Sequence, residues 1–233
     1  MKNYFDFEII KRGLKNPKVK SAVVLSAGLV ILLFVFWFVG LFRTPPYYRP
    51  VKFIADGNMS QYLTNYILPE LNNKSQYGQP FDLVISETGI NDIIVRHIDA
   101  DSLQQANLSD LSVAFRRGRI LLTGKTVYYG IDFIVTLVLK PYIDKEGYFL
   151  LKESQIEAGR SRIPFAGEAV KRKVLEGLVR FINNLGIGDF NEASLNNRRI
   201  EPVFSLNHRR HRIEKITVGD KELIIHFLPQ LDR

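Results

Sequence analysis

Ile131–Tyr142 reads IDFIVTLVLKPY, a run rich in β-branched and aromatic residues. Alternation at the period of two places Ile131, Phe133, Val135, Leu137 and Leu139 on one face and Ile134 and Val138 on the other. A strand with an apolar middle on both faces is either covered on both sides or lines something apolar. On its C-terminal side Asp144-Lys145-Glu146-Gly147 and then Tyr148–Ile156 complete a predicted hairpin. On its N-terminal side Leu111–Phe115 and Arg119–Thr123 flank Arg116-Arg117-Gly118, a second hairpin with glycine where a positive φ is needed.

Working outward toward the C-terminus, Gly167–Leu185 predicts a long amphipathic helix. Val170, Val174, Leu178, Phe181, Ile182 and Leu185 form its apolar stripe, Lys171, Arg172, Glu176 and Arg180 lie off it, and Gly186 closes it. Strands are expected near Ile200–Leu206, Arg212–Val218 and Glu222–Leu228. Toward the N-terminus, Phe81–Ile85 reads as a strand, and Ser86 caps a helix carrying Ile90, Ile93, Ile94 and Ile98 on one side. A helix over Met59–Leu68 should stop at Pro69, with a loop from Asn72 to Gln79. The fold class expected is α+β, an antiparallel sheet wrapped on the long amphipathic helix.

Farther out lies a segment of different character. Ala22–Phe42 (AVVLSAGLVILLFVFWFVGLF) holds 21 residues without a charge, which at about 1.5 Å per residue matches a hydrocarbon core of about 30 Å. A soluble helix of that length would show a polar stripe, and here only Ser26 is polar. A cleaved leader would have a shorter apolar run ending in small residues, whereas this one ends in Trp37, Phe38, Phe42 and Arg43. An uncleaved signal-anchor is expected. Six basic residues against two acidic ones precede it, so residues 1–21 carry +4 and are expected in the cytoplasm. The organisation predicted is a basic head over residues 1–21, a membrane span over 22–42, a stiff Pro-rich spacer over 43–55 and an extracytoplasmic domain over 56–233.

Composition then excludes several classes of function. The formal net charge is +8, but half of it sits in the head, so the outer domain lacks the concentrated basic face that a nucleic-acid partner requires. Zero cysteines remove disulfides, thiolate metal sites and cysteine nucleophiles together. The histidines His97, His208, His211 and His226 show no ligand spacing, and His208-Arg209-Arg210-His211 reads as a solvated basic loop because adjacent arginines repel a cation. Gly186-Ile187-Gly188 follows a helix, whereas phosphate-cradling glycines precede one. No catalytic motif, cofactor site or metal site is read, and a non-enzymatic protein is expected.

The order of elements resembles the YpmS-like group of bacterial membrane-anchored proteins. The likeness rests on the basic head, the membrane helix, the strand and Ser-capped helix from Phe81 to Ile98, the long hairpins, and the Gly-Arg-Ser-Arg-Ile-Pro turn at Gly159–Pro164 before an amphipathic helix. It covers about residues 20–185, and no functional residue carries over; the strands after Arg198 lie outside it. The sheet-round-helix form of that group resembles half of a tubular lipid-binding module, which implies an apolar groove between a curved sheet and the helix Gly167–Leu185.

Together these readings predict a membrane-tethered module of a bacterial envelope that binds a lipid or other apolar ligand. The groove would be lined by Ile134, Val138, Leu150, Val174 and Leu178, unless these are ordinary core. The alternative is a bitopic scaffold that recruits other envelope proteins through its sheet edge or its membrane helix.

Overall fold

The computed structural model describes residues 17–50, 59–97, 103, 108–128, 130–162 and 201–230. The predicted helix Gly167–Leu185 and the residues of the basic head before Pro17 lie outside them. Helix α1, Pro17–Leu41, holds the apolar run. It is long and apolar enough to cross a membrane, and its span is not buried against the rest of the chain.

The nine strands of the described residues are all antiparallel and form two sheets. The larger sheet is a meander of β2 (Leu108–Arg116), β3 (Arg119–Tyr128), β4 (Ile131–Ile143), β5 (Phe149–Ala158) and the short β6 (Ser161–Arg162). Both expected hairpins are present. Gly118 sits at φ +72° in the first turn and Gly147 at φ +83° in the second. In the second turn the Asp144 carboxylate accepts the amides of Glu146 and Tyr148, both at 2.9 Å. Along β4 the five residues from Val135 to Leu139 are all buried, so this stretch is covered on both faces, the first of the two arrangements that its doubly apolar pattern allows.

The smaller sheet has the order β1-β9-β8-β7, where β1 is Phe81–Ser86, β7 Val203–Leu206, β8 Arg209–Val218 and β9 Glu222–Pro229. The C-terminal strands therefore pair with β1 instead of extending the hairpins. Their core gathers Ile67, Phe81, Leu83, Ile213 and Phe227, with the Phe81 and Phe227 rings stacked 4.9 Å apart.

Two local expectations are corrected. The basic segment at His208 is not a loop. Asn207 and His208, at φ +51° and +60°, make a two-residue turn of the type that matches strand twist, and Arg209 already pairs with Leu206. His211 is consequently buried inside the sheet at 0% exposure. Pro69 does not stop its helix either. A π-turn over Leu63–Ile67 precedes α2, Leu68–Ser75, and the amide of Leu68 bonds to the carbonyl of Leu63. That wider turn accommodates the proline ring where a regular α-turn would clash.

Helix α3, Glu87–His97, begins as predicted, with the Ser86 hydroxyl accepting the Gly89 amide at 3.0 Å. It joins the two sheets. Ile94 packs with Leu111, Val113 and Phe115 of β2 and with Val218 of β8. Asn91 donates to the carbonyl and accepts the amide of Val113 at 2.7 and 2.8 Å, which satisfies the backbone of edge strand β2 as a neighbouring strand would. Glu87 accepts the amide of Phe115 at 2.8 Å, and the Gly118 amide donates to Val218 at 2.8 Å.

Candidate functional site

Chemistry-bearing residues concentrate where α1 ends against the larger sheet. The last carbonyls of any helix lack intrahelical partners, and here the turn between β5 and β6 supplies donors. The Arg160 amide donates to Gly40 at 2.9 Å, the Ser161 hydroxyl to the Trp37 carbonyl at 2.9 Å, and the Arg160 guanidinium Nε to the Thr44 carbonyl at 3.0 Å. Two glycines allow the approach. A Cβ on Gly40 would strike the Ser161 hydroxyl, and a Cβ on Gly159, at φ +56°, would strike the carbonyls of Gly40 and Leu41. An aromatic series of Phe34, Phe38, Phe42 and Phe133 runs along α1 onto β4, the last two rings 5.4 Å apart.

Residues 43–50 of the predicted spacer, the part of it that is described, then reach the sheet. Pro45 is buried, and the Tyr47 ring packs on Ala114, Leu121 and Val138. The Tyr47 hydroxyl donates to Glu157 at 2.9 Å and lies 3.2 Å from Thr136, which contacts Thr123 at 3.1 Å. Gln155 donates to the same Glu157 carboxylate. Burial first, then the Glu157 charge, pushes the Tyr47 hydroxyl up to about 12. Tyr48 donates to the carbonyl of Asp110 at 2.9 Å, and burial together with the Asp110 charge also pushes it up to about 12.

Beside this junction opens a cavity of about 300 Å³, lined by Leu41, Phe42, Arg43, Thr44, Tyr48, Pro50, Asp110, Lys125, Asp132 and Ile134. Lys125 reaches diagonally across the β3–β4 pair to Asp132 at 2.7 Å, and that contact raises the Lys125 ammonium above its ordinary value. Asp110, at φ +51°, lies where the β2–β3 register shifts between Ser109 and Ser112. Such a bulge re-aims a side chain that regular pairing would fix elsewhere.

Of the residues predicted to line a groove, Ile134 is a wall of this cavity. Val138 lies on the same face of β4 but is 1% exposed beneath Tyr47, so that stretch is filled core. Leu150 is half-buried at the other end of β4, paired with Tyr142. Val174 and Leu178 lie outside the described residues. Sequence reasoning passed over Tyr47, Gly159, Arg160 and Ser161, whose only trace was the Pro-Pro-Tyr-Tyr and Gly-Arg-Ser-Arg strings themselves. It also passed over the cavity's four charged residues, which come from four separate segments.

Elsewhere, His226 places one ring nitrogen 2.5 Å from Asp82 and the other 3.5 Å from Glu214, a polar cluster across three strands. Among the described residues no group of His, Asp or Glu is arranged to hold a metal ion. Neither a family model nor a curated protein nor a solved structure matches this chain.

Proposed function

We propose that this chain is a single-pass, membrane-tethered extracytoplasmic module that binds a lipid or other apolar ligand without enzymatic turnover, its short basic head in the cytoplasm. The observation that carries the reading is the junction of an apolar helix with a sheet whose adjoining cavity has walls of Leu41, Phe42, Pro50 and Ile134. A helix of this length and composition is stable in hydrocarbon, because the backbone groups between its two ends are satisfied within the segment. Its end is fastened to the β-domain through two hydrogen bonds from Arg160 and Ser161, with a third to Thr44 just after it, so a span there would hold the cavity at the level of the headgroups. The helix predicted over Gly167–Leu185, which lies outside the described residues, is part of this proposal only as the element on which the sheet would be wrapped.

The absence of native cysteine makes the topology directly testable. Single cysteines are introduced at Lys11 in the head and at the exposed Lys145 in the β4–β5 turn of the full chain, and intact cells are treated with a membrane-impermeant maleimide. Labelling of Lys145→Cys alone is expected, and labelling of Lys11→Cys alone would reverse the orientation. Native mass spectrometry with lipid extraction then tests the ligand: a stoichiometric lipid is expected, and a clean apo mass would end the binding reading. The scaffold alternative draws on β7, an edge strand that leaves Phe204 43% exposed.

A further inference from the structure

The cavity at the end of α1 has a composition unlike that of a purely apolar groove. Its walls carry two cations, Arg43 and Lys125, and two carboxylates, Asp110 and Asp132, beside the apolar Leu41, Phe42, Pro50 and Ile134. The charges balance. A cavity of net zero charge with both signs present disfavours a simple anion, which would meet Asp110 and Asp132, and disfavours a simple cation for the converse reason. It complements a ligand that itself carries both signs, one end anionic and the other a donor.

The positions of the carboxylates sharpen this. Asp110 stands at a bulge in a left-handed conformation, and its main-chain oxygen is tied down by Tyr48 at 2.9 Å, so the residue's placement is set by backbone geometry. Asp132 is already held by Lys125, but that pair is exposed, at 38% for the lysine and 60% for the aspartate. Ion pairs of that exposure are worth little and exchange readily. A phosphate can take over Lys125 and Arg43 while a primary ammonium takes over Asp132 and Asp110. Tyr48 is the cavity's one aromatic side chain able to offer a hydroxyl and a ring face besides Phe42, which is too few for an aromatic cage around a quaternary ammonium.

We infer that the cavity binds a phosphorylated primary amine, as in the ethanolamine-type headgroup of a zwitterionic phospholipid whose acyl chains run beside α1. This deepens the proposed function and rests on the reading of α1 as a membrane span. A volume of about 300 Å³ suits a headgroup and the start of its glycerol, and leaves the acyl chains outside.

The test uses the full chain in nanodiscs containing equal fractions of phosphatidylethanolamine, phosphatidylcholine and phosphatidylglycerol, with retained lipid counted by native mass spectrometry. Enrichment of the ethanolamine lipid over the choline lipid is expected. Asp110→Asn should reduce that enrichment about tenfold, the size of one lost charge-assisted hydrogen bond. This substitution preserves the Tyr48 contact, which is to the main chain, and unchanged thermal stability would show that the fold survives. Binding of soluble phosphoethanolamine without lipid enrichment would assign the same chemistry to a free metabolite. Equal retention of ethanolamine and choline lipids with no phosphoethanolamine binding would overturn the inference, as would an Asp110→Asn variant that keeps the full preference. Alkaline carbonate extraction separates the two levels: a chain released from membranes ends the membrane reading and this inference together, whereas an integral chain without amine preference ends this inference alone.

Discussion

Tyr47 occupies a position where one hydroxyl joins three elements: the segment after α1, β4 through Thr136 and β5 through Glu157. Thr136 is fully buried and Thr123 nearly so, so these polar groups depend on one another for satisfaction. Tyr47→Phe keeps the ring against Val138 but deprives the half-buried Glu157 carboxylate of one of its donors, leaving Gln155 on the other oxygen. A loss of about 1–3 kcal/mol is expected in urea unfolding, the usual cost of a missing hydrogen bond to a charged group. The same residue has a signature in pH. Its hydroxyl ionises at about 12 in the fold against 10.0 for the unperturbed group, so the folded state retains the proton longer. Its stabilising contribution is full below pH 10 and declines as the pH rises toward 12. Tyr47→Phe should therefore flatten the alkaline limb of the stability curve, and Tyr48, shifted the same way by burial, should leave a residual slope. An alkaline limb identical in the variant would show that Tyr47 titrates as an exposed phenol.

At the scale of elements the α1 joint is decided by close approach. Gly159 combines a positive φ with contact to the last carbonyls of the helix, so Gly159→Ala meets both backbone strain and a collision. Each term costs on the order of 1 kcal/mol or more, and separation of the helix end from the turn is the cheapest relief. The chain's single tryptophan, Trp37, reports on this, since its carbonyl accepts the Ser161 hydroxyl. Gly159→Ala should change Trp37 emission and its accessibility to quencher while far-UV circular dichroism stays the same. An unaltered emission spectrum would mean that the turn does not hold the helix. The π-turn before Pro69 teaches a related lesson about elements. Proline forbids the regular α-turn, yet insertion of one residue into the turn leaves the helix running through to Ser75.

At the scale of the molecule two sheets are fastened into one body by a few polar ties and a shared apolar cluster. Asn91 is the central tie. It is 7% exposed and satisfies both main-chain groups of Val113. Asn91→Leu leaves those groups buried without partners, and a loss of about 2–5 kcal/mol is expected from two unmet backbone bonds. Because Ile94 and Val218 share a cluster with β2, the loss should lower one common transition. Equilibrium unfolding followed by Trp37 fluorescence and by circular dichroism should give coincident midpoints in the parent chain and in the variant. Divergent midpoints would mean that the α1 joint and the sheets do not unfold as one unit.

How much of this was legible beforehand differs by kind of interaction. The apolar helix, the paired hairpins with glycines at their turns, the Ser86 cap and the apolar middle of β4 on both faces follow from periodicities and turn chemistry that act over a few residues and can be read from the order of amino acids; whether β4 is covered or lines a groove cannot. Ile134 was legible as apolar but not as a cavity wall, and Val138 was as apparent as a groove residue as it is real as core, since both readings demand the same side chain. Long-range packing sets that β1 pairs with β9, that His211 is buried, that Asn91 completes the edge of β2, and that Gly159-Arg160-Ser161 receives the end of α1. Those contacts join residues remote in the chain. They depend on three-dimensional packing and on the demand that every buried donor and acceptor find a partner, and neither leaves a local pattern to read.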